Sequence, residues 1–128
     1  MTRQFADLES LVVTYLEAST GIRTVTTLPA LLETAMPIYR VTGIGGADDK
    51  ITDRTRLNVE SFAALRATSY DMAEVARQAL RSMAHTLVSG WLIDTVETSA
   101  RPTWVDYAND HVQRFIATYE ITTRVRVS

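Results

Sequence analysis

The chain has 128 residues, 46% hydrophobic and 22% charged, which fits one folded domain with a real core. It has no cysteine, which excludes disulfides and thiolate metal sites. Its formal net charge is −2, so the strongly basic footprint of a nucleic-acid-binding chain is missing. No apolar run approaches the roughly 20 residues of a membrane-spanning helix. Met1–Ser10 lacks the apolar region of a signal peptide.

The first element is an amphipathic helix over 4–18, with Phe5, Leu8, Val12, Tyr15 and Leu16 on one face and Gly21 as its stop. Ile22–Leu28 is rich in Thr and Val and reads as a strand ended by Pro29. Ala30–Met36 reads as a helical turn or a loop. Ile38–Ile44 has apolar residues on both faces, as an inner strand does. Gly43, Gly45 and Gly46 break that pattern, and Ala47, Asp48, Asp49 and Lys50 complete an exposed, mobile loop.

Arg54–Phe62 alternates, with Thr55, Leu57 and Val59 on one side and Arg54, Arg56, Asn58 and Glu60 on the other. Residues 71–88 form the strongest helix, with an apolar stripe from Met72 through Val75, Ala76 and Leu80 to Leu87. Asp71 and Glu74 make a capping-box pair at its start, and Gly90 is its stop. Trp91–Thr98 is a strand, and Arg101-Pro102-Thr103-Trp104 a turn. Val112–Val127 alternates most cleanly. Phe115, Ala117, Tyr119 and Ile121 share one parity, and Arg114, Glu120, Arg124 and Arg126 the other. The order predicts a single α+β domain over 1–128, a mostly antiparallel sheet of four to five strands packed against two helices.

Little in this pattern carries catalytic chemistry. Gly43-Ile44-Gly45-Gly46 lacks the Lys-Ser/Thr of a phosphate-binding loop. Asp48, Asp49 and Asp53 lack the ligand spacing of a calcium loop. His85 and His111 share no metal-binding spacing, and no serine sits in a nucleophile elbow. The sequence is therefore expected to be non-enzymatic and free of cofactors and metals. Trp91, Trp104 and Tyr107 could stack on bases but more simply anchor a core or an interface. Lys50 is the only lysine among 13 basic residues. A GC-rich genome would give this bias, and so would selection for arginine at interfaces, where its planar fork pairs bidentately. Arginines alternating on strand faces mark either a solvated sheet or a self-association surface.

The helix carrying Asp7-Leu8-Glu9, the strand Pro37-Ile38-Tyr39-Arg40-Val41 and the glycine pair form the first part of a pattern. It continues through Arg56-Leu57-Asn58-Val59-Glu60, an Ala-rich helix and the terminal Arg114-Phe115-Ile116-Ala117-Thr118-Tyr119-Glu120. Over roughly residues 5–126 this order resembles the tail terminator and head-to-tail connector proteins of long-tailed bacteriophages. The resemblance implies a virion protein of the phage neck, assembled in the host cytoplasm, that forms a homohexameric ring. Such a ring stops growth of the tail tube, docks the head connector or stopper protein, and lets genomic DNA pass without sequence-specific binding. Its partners would be its own copies, the tail tube protein and the connector, with no membrane. Another neck adaptor or a head-completion protein is the alternative; a nucleic-acid-binding module is the third reading.

The family brings no catalytic residues. The interface candidates therefore come from the alternation and the glycine loop: Gly45, Gly46, Asp48, Asp49, Lys50, Arg54, Arg56, Arg124 and Arg126. A lumen that conducts DNA must not grip it. Arg54, Arg56, Arg124 and Arg126 are therefore expected to be mostly paired with carboxylates or turned from the channel.

Overall fold

A computed structural model describes residues 3–4, 6–48, 52–124 and 126–127, with side chains described over 6–48 and 52–124. The chain runs β1 (Arg3–Gln4), α1 (Leu8–Thr20), β2 (Thr24–Val25), α2 (Leu32–Ala35), β3 (Ile38–Asp48) and β4 (Thr52–Ala63). It continues through α3 (Arg66–Arg81), β5 (Thr86–Val88), β6 (Trp91–Trp104), β7 (Gln113–Arg124) and β8 (Arg126–Val127). The α+β class is as expected, but the main sheet has six strands rather than four or five, in the order β2-β3-β4-β7-β6-β5. Only the β2–β3 pairing is parallel, and β1 and β8 make a separate two-stranded ribbon.

The sheet buries one face under α1 and α3. Leu8, Leu11, Val12 and Leu16 of α1 and Met72, Ala76 and Leu80 of α3 meet Tyr39, Val41, Leu57, Val59, Ala117, Tyr119 and Ile121 of the strands. The period-2 alternation of β7, buried at every second position through Thr123, is what this packing requires. The Tyr39 hydroxyl donates to the Met72 carbonyl at 2.6 Å and the Ser69 hydroxyl to the Ser61 carbonyl at 2.7 Å, pinning α3 to the sheet. On the opposite face, near one end, a smaller cluster of Leu32, Ile38, Phe62 and Val112 is covered by α2 and the segment before β7.

Several boundaries depart from the sequence reading. Asp7, inside the expected first helix, is its N-cap and accepts a hydrogen bond from the Ser10 amide at 3.2 Å. Gly21 ends that helix in the left-handed conformation, as expected (φ 72°). The strand expected over Ile22–Leu28 shrinks to Thr24–Val25. The Glu17 carboxylate accepts from the Thr24 amide at 3.0 Å, tying this short strand to α1. The main helix begins at Arg66, not 71, so Asp71 and Glu74 lie inside it and cap nothing. It ends at Arg81, and the expected stripe overshoots: Val75 is exposed and Leu87 belongs to β5. Gly90 is not a helix stop. With Ser89 it forms a two-residue hairpin turn, both at positive φ (51° and 82°). Arg101-Pro102-Thr103-Trp104 is not a turn but the irregular end of β6, where the register shifts between Ala100 and Thr103. An edge position admits Pro102, which has no amide to donate.

Candidate assembly interface

The described candidates lie at one end of the main sheet, with Gly45, Arg54, Arg56 and Arg124 on its face away from the helices. Cross-strand register aligns Gly45, Arg56, Glu120 and Glu97 in one row and Ala47, Arg54 and Thr122 in the next. Arg54, Arg56 and Arg124 thus share the polar face that alternation predicts for each strand. The expected mobile loop is a correction. Gly45, Gly46, Ala47 and Asp48 are paired residues of β3, opposite Arg56, Thr55, Arg54 and Asp53. Asp49 and Lys50 lie outside the described residues, as does the side chain of Arg126. Backbone pairing favours strand here because the hairpin continues without a break from the sheet, with one bulge at Ile44.

The expected pairing of the arginines is met in part. Arg56 Nε lies 3.4 Å from Glu120 Oε2 and Arg124 Nε 3.6 Å from Asp94 Oδ2. Both arginine side chains remain mostly exposed (59% and 62%), so each pair contributes little to stability. Arg54 makes no ion pair among the described residues.

The strongest electrostatic feature on this face escaped the sequence reading. Glu60 is buried, with its side chain 7% exposed. Arg40 grips it with Nε to Oε1 at 2.6 Å and Nη2 to Oε2 at 2.9 Å, while Arg114 Nη1 reaches Oε2 at 3.2 Å. Arg114 Nη2 also donates to the Asp106 carbonyl at 2.8 Å, and its guanidinium lies over the Tyr107 ring. The Glu60 hydrogen bond drives the Arg40 pKa above its ordinary value, against burial, which lowers it. Glu60 and Arg114 each lay on the polar parity of their strand. The missing signal was the strand register and the placing of β7, distant in sequence, beside the β3–β4 hairpin.

The aromatic candidates are engaged within the fold. Trp104 Nε1 donates to Gln113 Oε1 at 3.0 Å and lies under the Arg66 guanidinium. Tyr107 meets Phe62 edge-on at 5.5 Å, and Trp91 packs against the main core. His85 is exposed on the α3–β5 connection, not in the helix, and His111 is exposed just before β7. Among the described residues no group of three or more His, Asp or Glu side chains could hold a metal ion. Among the described residues no helix is long and apolar enough to cross a membrane.

No family model matches this chain, and no curated protein matches it. Among solved structures it is similar to a chain from the virion of a native gene transfer agent particle. That likeness has a TM-score of 0.63 at 14% identity, over 91% of this chain and 94% of the other. The two share a fold over nearly their full lengths.

Proposed function

We propose that this chain is a structural protein of a phage-like virion, a tail-terminator-type subunit that closes into a ring at the head-proximal end of the tail tube. The observation that carries the reading is the end-to-end fold likeness to a chain of a gene transfer agent virion. The disposition of polar groups supports it. The buried Glu60 is spent on Arg40 and Arg114, a cluster that ties β3, β4 and β7 together. The ring is non-enzymatic and needs no cofactor. It contacts further copies of itself, the tube protein below and the head connector above. Arg56 and Arg124 each stand beside a carboxylate, which lowers the positive charge a passing duplex would meet there.

The test is to add the purified protein to tail tube protein as it polymerises and to measure tube length by electron microscopy. The reading expects arrested growth and one ring at one end of each tube. Unchanged tube lengths with no bound ring would refute termination, and binding to isolated head connectors instead would identify an adaptor of the neck.

A further inference from the structure

Among the described residues the main sheet has two edges that its outermost strands cover only in part, the β3 edge carrying in addition the Glu9 carboxylate on the Gly43 amide. β2 pairs with β3 only at Tyr39 and Arg40, so among the described residues no strand pairs with the outer side of Val41–Asp48. β5 pairs with β6 only at Trp91, Leu92 and Ile93, leaving the outer side of Thr95–Trp104 equally unpaired. Pro102 limits the hydrogen-bonding stretch of that edge to Thr95–Arg101. Open edges of this length template pairing with another chain, and folded proteins normally cover or blunt them.

From these edges we infer that Thr95–Arg101 of β6 in one copy pairs antiparallel with Val41–Asp48 of β3 in the next, joining neighbouring sheets around the ring. The inference rests on the ring reading above and adds the surface that builds it. Strand direction supports it. β3, β4, β7 and β6 are successively antiparallel, so β3 and β6 run oppositely. Rotation about an axis along the strands leaves those directions unchanged. A neighbour's β3 therefore meets β6 in the same antiparallel sense as every long pairing within the subunit. The contact is heterologous, edge to opposite edge, which is the kind that closes into rings.

The side chains agree. Gly45, Gly46 and Ala47 carry almost no side-chain bulk at the far end of the β3 edge, so another backbone can approach closely there. Glu9 stands beside that edge, where its carboxylate accepts from the Gly43 amide. Arg101, exposed on the opposite edge, makes no ion pair among the described residues and is of the complementary sign.

Because the chain has no cysteine, introduced thiols report contacts cleanly. Thr42 shares the face of Asn58 and Thr118 with Ala100, and Glu97 shares the face of Glu120. The test oxidises the double variants Thr42→Cys/Ala100→Cys and Thr42→Cys/Glu97→Cys, which sample adjacent registers, and separates the products under denaturing, non-reducing conditions. At least one double variant should give a ladder ending at the ring size. Each single variant should stay monomeric, and Thr42→Cys mixed with its β6 counterpart should stop at a dimer. Homodimers of Thr42→Cys alone would mean a two-fold contact and overturn the inference. Rings seen by electron microscopy without a ladder would overturn the edge pairing and leave the ring reading intact. A ladder without closed rings would support the pairing and count against the ring. Neither rings nor ladder would overturn both.

Discussion

Glu60 holds two guanidiniums at once and has almost no water to share its charge. Removing one member of a buried ionic cluster leaves the others uncompensated, at about 3 kcal/mol. Glu60→Gln is accordingly expected to lower unfolding stability by about that amount in urea titrations. Arg56→Ala, which breaks an exposed pair at 3.4 Å, should cost less than about 1 kcal/mol. Equal losses would show that the Glu60 cluster is not the structural knot its geometry describes. Tyr39 and Tyr119 act on a different axis. Burial raises both phenol pKa values above the usual tyrosine range, so both stay neutral while folded. In the unfolded chain they ionise near pH 10. Their contribution is therefore complete below about pH 10 and is lost as pH rises above it. The denaturation midpoint should fall in that alkaline window, and Tyr39→Phe should make the fall shallower. At neutral pH Tyr39→Phe should cost about 1 kcal/mol for its bond to the Met72 carbonyl. Tyr119→Phe should cost less, since the Tyr119 hydroxyl has no hydrogen-bond partner among the described residues.

The β3–β4 hairpin depends on a glycine at one position above all. A Cβ on Gly46 would fall against the Arg54 carbonyl of the facing strand, which is backbone and cannot yield without separating the strands. A Cβ on Gly43 would meet only the side chain of Glu9, at 3.1 Å. Gly46→Ala should therefore destabilise the protein and raise amide exchange across the hairpin, while Gly43→Ala should do much less of both. Similar exchange in the two variants would contradict this account. Element types were largely legible because helix and strand periods differ, and β7 and the buried stripe of α3 both followed their patterns. Ends were less so. Met83 continues the apolar stripe beyond the last helical turn, so periodicity alone carried the expected helix too far. Pro102 suggested a turn because its tolerance on an edge depends on knowing where the edge lies.

At the scale of the whole molecule, the order β2-β3-β4-β7-β6-β5 was not legible, because it depends on contacts between strands far apart in the chain. The same order hides Glu60 and leaves the two edges covered only in part. Alternation could place Arg54, Arg56 and Arg124 on the polar face of their own strands, yet it could not say that Arg40 and Arg114 converge on Glu60. The central claim concerns assembly, and it is tested most directly by the absolute mass of the untagged protein in solution. Light scattering across a concentration series, at low and high salt, should show mass rising to a plateau at a fixed multiple of the subunit, a hexamer. Edge pairing through backbone hydrogen bonds should keep that plateau at high salt, because it does not depend on screened surface charge. A monomer throughout, or a mass that climbs without limit, would contradict the closed ring.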